Sequence, residues 1–398
     1  MKQILLCLGL LLATTTYGQS TDFARGADVS WCTEMEADGR KFYNAQGEET
    51  DIFSLMKQIG MTAIRLRVWV NPKEYGYGAW CDLDDVVKKA CRARDYGLDV
   101  MIDFHYSDFF ADPGNQRIPL AWQGHSLAQM ISDVISHTSF VLGVLKKNGI
   151  EPRWVQVGNE TNSGMLWDVG KIDWDKSEID RFENYVMLSN FAYFVVKDVL
   201  PQAQVIVHLG NTSLARWFFR EFKAAGGKFD MIGLSHYPTA EEWNSPSPEA
   251  THSNVNAFDW VQEAALEFGV PVMICETGFD SSKPEKAAEV MKDLMARMKK
   301  LGPLCAGMFY WEPEVDGVWK PAYYDTLGWG PYGMGAFTTD GRPTAALDAF
   351  KDDASGIETL SVGQQPARYY DLQGRRLNTP TNGLVIKKSD KGCHKCFY

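Results

Sequence analysis

Two glutamates, Glu160 and Glu276, occupy positions from which carboxyl groups can do chemistry. Each closes a short apolar run. Residues 154–158 are apolar, aromatic or β-branched apart from Gln156, and the run stops on the polar pair Asn159 and Glu160. Far downstream, residues 270–278 (VPVMICETG) carry Glu276 near their end. A buried strand that delivers an amide and a carboxyl at its C-terminal end is how a parallel β/α scaffold builds an active site. Two such glutamates suit acid/base and nucleophile work on one bond.

The elements that must hold these groups follow from periodicity. Strands are expected over residues 26–29, 63–68, 99–104, 154–158, 205–209, 231–235, 272–275 and 306–310. Amphipathic helices are expected over 51–59, 83–96, 127–147, 185–199, 214–225, 256–268, 284–300 and 345–351. Several of them stop at a glycine (Gly60, Gly97, Gly149, Gly226, Gly269), a residue that accepts the left-handed turn before a strand. Eight strands alternating with eight helices predict an α/β fold, the (β/α)8 TIM barrel, with function at the C-terminal strand ends. The polar residues fall there. They are Asp28 and Trp31 after strand one, Arg65 and Arg67 in strand two, Asp103, His105 and Asp108 after strand three, and Asn159 and Glu160 after strand four. His208 and Asn211 follow at strand five, His236 and Tyr237 at six, Glu276 at seven, and Trp311 and Glu312 at eight. The loops on that face are long and aromatic, holding Trp122, Trp167, Trp174, Trp319 and Trp329 among others.

Composition narrows the partners. The net charge of −11 argues against nucleic acid and anionic membranes, which need basic patches, and is compatible with a neutral polymer. An aromatic content of 13 % suits stacking on sugar faces. Residues 1–18 read as a signal peptide: Lys2, an apolar core over 4–13, then small residues Thr16 and Gly18 near the expected cleavage site. That core is too short to span a bilayer, and no second apolar run long enough to span one occurs. A secreted, cell-surface or periplasmic location is therefore expected. Domain boundaries are expected at 19–353 for the barrel and 354–398 for a short C-terminal appendage. In the appendage, alternating apolar residues around DLQG and NG turns suggest a β-hairpin-like module. Seven cysteines remain after Cys7. Cys91, Cys275 and Cys305 are expected as buried thiols, Cys32 could bridge Cys81, and the terminal Cys393–Cys396 pair lacks the second half of a zinc site.

Seven segments in order resemble glycoside hydrolase family 53, the endo-β-1,4-galactanases: GADVSW (26–31), IRLRVWVNP (64–72), VMIDFHYSDFFADPGNQRIPLAW (100–122), WVQVGNETNSGMLW (154–167), FDMIGLSHYP (229–238), ICETG (274–278) and FYWEP (309–313). The resemblance covers roughly residues 25–350. It implies a retaining (β/α)8 hydrolase of β-1,4-galactan with Glu160 as acid/base and Glu276 as nucleophile. The rest of the substrate-binding set is expected to be Asp28, Arg65, Arg67, His105, Asp108, Trp122, Asn159, His236, Tyr237 and Trp311. Asn159 would donate to the sugar 2-hydroxyl, Tyr237 would orient Glu276, and His105 and His236 would bond sugar or carboxylates. Trp122 and Trp311 would be stacking platforms. Arg65 or Arg67 would keep Glu276 ionised, and alternation, which puts both on one face, does not choose between them. A histidine, His236, stands where many family members have tyrosine. The GFDSSKPEK loop after strand seven offers Asp280 but few other hard oxygen ligands, so the calcium loop of bacterial relatives is not expected in that form. No metal or cofactor is expected, and a monomer is. The competing readings are a β-mannan or β-glucan hydrolase on the same scaffold and a catalytically silent glycan-binding protein.

Overall fold

Strict alternation along the strands dictates what fills this molecule's centre. The computed structural model describes residues 23–351, apart from 77, 178 and 179, and the backbone of four short strands between 368 and 397. The segment read as a signal peptide lies outside the described residues. The chain divides into two compact units, Met1–Lys351 and Asp352–Tyr398.

In the larger unit eight parallel strands close into a barrel in sequence order. They are β1 (Ala24–Asp28), β2 (Ala63–Val68), β3 (Asp99–Phe104), β4 (Trp154–Val157), β5 (Gln204–Leu209), β6 (Met231–Ser235), β7 (Val272–Thr277) and β8 (Cys305–Trp311). β8 returns to pair with β1, Asp28 opposite Trp311. Between and around them run α1 (Cys32–Ala37), α2 (Ile52–Ile59), α3 (Leu83–Asp95), α4 (Leu127–Lys147), α5 (Glu183–Val199), α6 (Ala215–Ala224), α7 (Asn254–Phe268), α8 (Pro284–Lys300) and α9 (Tyr323–Leu327). The expected alternation is therefore present, with short α1 and α9 added in loops. The last expected helix is a 3-10 turn, Ala345–Phe350. Local signals explain the boundaries. The carboxylate of Asp51 accepts the first amides of α2, and Ser126 and Gln129 form a capping box on α4. Left-handed Gly60 and Gly269 stop α2 and α7. By length and apolar composition α4 could cross a membrane; here it is the barrel helix between β3 and β4, with Met130, Val134, Val141 and Leu145 buried.

Two layers fill the barrel interior. Ala24, Ala63, Met101, Trp154, Ile206, Met231, Met273 and Phe309 form a closed apolar layer. Two residues further along each of three strands, on the same face by the period of two, sit Arg65, Asp103 and Gln156; His208 follows on β5 in the same way. The apolar layer seals the bottom, and the polar layer is the floor of the open mouth.

The smaller unit is a four-stranded antiparallel sheet, in the order β10 (Arg376–Leu377), β9 (Arg368–Tyr370), β11 (Leu384–Ser389), β12 (Gly392–Phe397). It is more than the hairpin-like module expected: β9 adds to the β11–β12 pair and β10 to β9.

Candidate active site

Glu160 follows β4 with a left-handed backbone, φ +46°. That conformation is rare for a residue with a Cβ and marks a strand end where side-chain direction is under constraint. Its Oε1 accepts from the Ser235 hydroxyl at 2.6 Å. Gly210 stands beside it: a Cβ there would lie 3.0 Å from the Glu160 carboxyl carbon and 2.8 Å from Pro113.

Glu276 reaches the mouth by a break in alternation. Cys275 is part of the interior layer, so a regular strand would turn Glu276 outward. The β6–β7 register shifts between Leu234 and Ser235, and the β7–β8 register shifts between Ile274 and Thr277. Irregularities of this kind re-aim side chains next to active sites. Glu276 Oε1 then lies 2.9 Å from Arg65 Nη2, and its Oε2 accepts from the Tyr237 hydroxyl at 2.9 Å. One oxygen each of Glu160 and Glu276, and a ring nitrogen of His208, lie within 4.8 Å of one another.

Arg65 is the hub. It is fully buried, with Nη1 2.8 Å from Asp28 Oδ2 and Nη2 2.8 Å from both Asp103 Oδ2 and Asn159 Oδ1. Burial opposes the Asp103 charge, but Arg65 and His105 beside it hold that carboxyl below its ordinary range. Burial pushes both glutamates up, Glu160 to about 7 and Glu276 to about 8, with Arg65 drawing each down. The pair thus holds a proton where isolated carboxyls would not.

The other expected residues divide into those around this hub and those turned away. Asp28 is wholly buried and its carboxylate serves Arg65 and Ser30. His105 bonds Asp103 at 3.0 Å and accepts the Ala111 amide. Asn159 accepts from Arg65, and its Nδ2 donates to Ala111 O at 2.8 Å, leaving one amide hydrogen for a ligand. Trp311 is half-buried, its ring edge-on to Tyr332 at 4.6 Å. Arg67 belongs to a second cluster: it pairs with Glu312 and lies over the rings of Trp31, Trp69 and Phe110. Of the two arginines, Arg65 therefore contacts Glu276. Asp108 is buried, its carboxylate accepting the backbone amides of Asn71 and Leu120. Trp122 is buried edge-on to His137 of α4, so its face is not a platform. His236 points to Asn254 at the start of α7, and burial depresses it to about 4. Cys32 and Cys81 are separate buried thiols, not a bridge; Cys81 Sγ is directed at the Ser30 carbonyl.

Ser235 was not among the expected site residues. The signal was present: it lies two and four residues beyond Gly233 and Met231 on the inward face of β6. The Glu160–His208–Glu276 spacing would also admit a cation, but the donors are engaged. Both His208 nitrogens have partners within the protein, and Arg65 already supplies the positive charge at Glu276. Asp280 is occupied by Lys283 at 2.8 Å.

Comparison with known proteins places these features in a lineage. The family model described as Glycosyl hydrolase family 53 matches residues 24–350. The arabinogalactan endo-beta-1,4-galactanase of Cellvibrio japonicus (strain Ueda107) is 31 % identical over 387 residues, covering 88 % of this chain and 96 % of the relative. The endo-beta-1,4-galactanase of Bacillus subtilis (strain 168) is 30 % identical over 353 residues, covering 80 % and 76 %. Among solved structures, a fungal beta-1,4-galactanase superposes with a TM-score of 0.69 at 25 % identity, covering 82 % of this chain and 98 % of its own.

Proposed function

The chain belongs to glycosyl hydrolase family 53, and on that footing we propose that it cleaves internal β-1,4-galactosidic bonds of galactan and type I arabinogalactan by double displacement, with Glu276 as nucleophile and Glu160 as acid/base. The observation that carries the mechanism is the separation of the two carboxyls. Oxygens within 4.8 Å match the roughly 5–5.5 Å of retaining enzymes and leave no room for the water that inverting enzymes hold across about 6.5–9.5 Å.

The surroundings divide the roles. Arg65 and Tyr237 both donate to Glu276, which favours its ionised form and aims it at the anomeric carbon. Glu160 receives only the neutral Ser235 hydroxyl. Burial raises Glu276 at least as far as Glu160, so the partners and not the size of the shift assign the proton. The carboxyl that receives an arginine and a tyrosine donor is the anion, and the shared proton is placed on Glu160. In the first step Glu276 attacks C1 while Glu160 protonates the departing oxygen, which keeps the bonding pair. In the second, Glu160 takes a proton from water as that water attacks C1 and Glu276 leaves. Asn159, with its free amide hydrogen, is positioned to bond the 2-hydroxyl, a contact that strengthens toward the oxocarbenium ion.

Substrate choice rests on the relatives, two of which are named as endo-beta-1,4-galactanases. Secretion rests on the reading of residues 1–18, and a monomer and the 19–353 catalytic domain complete the proposal. The test is the product profile on unbranched β-1,4-galactan beside β-1,4-mannan and β-1,4-glucan, with Glu160→Gln and Glu276→Gln in parallel. Early release of mixed short galacto-oligosaccharides, lost in both variants, is expected. Cleavage of mannan or glucan instead overturns the specificity; cleavage of none favours a binding protein.

A further inference from the structure

We propose that Ser235 and His208 are positioning residues that fix which oxygen of Glu160 carries the catalytic proton: a directional hydrogen-bond chain commits Oε1 to accepting, so the proton is held on Oε2. The inference rests on the acid/base assignment of Glu160.

The direction of the chain is set from groups whose polarity is fixed. Arginine can only donate, and Arg65 Nε points at Gln156 Oε1, 3.3 Å away. Asp103 can only accept when ionised, and Gln156 Nε2 lies 2.6 Å from its Oδ1. These two contacts fix the orientation of the Gln156 amide. Its Nε2, a donor, then lies 2.8 Å from His208 Nδ1. The Glu160 backbone N–H is aimed at the same nitrogen from 3.4 Å. Asn159 Oδ1 is also 3.0 Å from Nδ1, but that oxygen accepts from Arg65, and the two hydrogens of Gln156 Nε2 are taken by Asp103 Oδ1 and His208 Nδ1. Two donors converge on Nδ1, so Nδ1 accepts and the ring hydrogen is on Nε2. His208 is neutral, because burial and the nearby Arg65 depress it well below its ordinary value.

From Nε2 the chain runs outward. Nε2–H lies 3.0 Å from Ser235 Oγ. A serine hydroxyl that accepts from His208 has its own hydrogen free, and the acceptor 2.6 Å away is Glu160 Oε1. With Oε1 receiving a hydrogen, the acid proton resides on Oε2. Without the chain, the proton divides between two oxygens, only one of which serves the leaving group. The step itself is unchanged: Oε2–H gives its proton to the glycosidic oxygen as the C1–O pair moves onto that oxygen and Glu276 bonds to C1.

The experiment compares two substrates whose departing groups differ in their need for a proton. Galactan leaves as a sugar alkoxide and needs the acid. A 2,4-dinitrophenyl β-galactobioside leaves as a stable phenolate and does not. Wild type, Ser235→Ala, Ser235→Thr and Glu160→Ala are measured on both, with thermal unfolding to establish that each folds. For Ser235→Ala the loss of kcat/KM, which reports the first step, should be about tenfold larger on galactan than on the aryl substrate, with Ser235→Thr restoring kcat/KM. Equal losses on both substrates, or no rescue by threonine, overturn the inference. Glu160→Ala separates this result from the underlying assignment: it must show the same leaving-group dependence more strongly. If it does not, the acid/base role of Glu160 falls; if it does and Ser235→Ala does not, only the positioning chain falls.

Discussion

Arg65 Nη2 stands 2.9 Å from Glu276 Oε1 inside a fully buried polar layer, and the same guanidinium holds Asp28, Asp103 and Asn159. One cation thus balances three carboxylates drawn from β1, β3 and β7. Replacing it by lysine keeps a charge but loses the planar fork that reaches all of them. Arg65→Lys is expected to lower kcat on galactan by about a hundredfold or more and to lower the melting temperature, since breaking a buried pair costs about 3–5 kcal/mol. A kinetic assay with calorimetry checks both; unaltered kcat would sink the hub role.

The shared proton sets a pH window. Activity needs one proton on the Glu160–Glu276 pair and is lost when the pair gains a second or gives up the first. Because burial raises Glu160 to about 7, the basic limb of kcat/KM should fall near neutrality, well above an ordinary carboxyl. The pH profile of kcat/KM on galactan checks this, and a basic limb near the ordinary carboxyl value of 4.5 would refute it.

The same shift has a stability consequence of definite sign. A carboxyl whose folded value lies above its unfolded value of 4.5 binds its proton more tightly in the native state. Its stabilisation is complete below about pH 4.5 and is lost as pH rises through 7. Relative to wild type, Glu160→Gln should therefore gain stability between pH 5 and pH 8, by about 2–4 °C in melting temperature. A difference that runs the other way with pH would refute the buried-acid assignment.

Gly210 is where the acid/base meets the β5 loop. Gly210→Ala places a methyl 3.0 Å from the Glu160 carboxyl carbon, so the carboxyl must move. A displacement of several tenths of an ångström should cost about tenfold to a hundredfold in kcat on galactan, with a small change in melting temperature. Full activity in this variant would mean that Glu160 has slack that the geometry denies it.

Cys32 and Cys81 are free and completely buried. Burial pushes the Cys81 thiol up to about 11, so neither should react with a thiol reagent until the barrel unfolds. Mass spectrometry after native labelling checks this, and reductant should leave the melting temperature unchanged.

Much of this architecture was legible in the sequence because a barrel repeats one simple pattern. Strand β3 (Asp99–Phe104) and α4 (Leu127–Lys147) match the expected bounds, since alternation and caps both mark them. Side-chain direction beyond a strand end was not legible. Tyr106, Glu160 and Glu312 all have left-handed backbones, and no periodicity carries through such a residue. That is why Trp122 and Asp108, beyond left-handed Tyr106, turn to His137 and to backbone amides; His236, beyond the register shift at Ser235, turns to Asn254. Glu276 is the converse case: strict alternation from Cys275 would have turned it away, and the register shift at Ser235 turns it in. The choice of Arg65 over Arg67 was equally hidden, because two residues on one face differ only in depth, and depth decides which carboxylate each meets.

Arg65 takes its partners from the first, third, fourth and seventh strands. A chain that has not yet added β7 has no Glu276 to complete the arrangement. Hydrolytic competence therefore arrives late, when β7 and β8 close the ring. Activity becomes a report on closure itself, and an incompletely assembled barrel is chemically inert toward any polysaccharide it encounters.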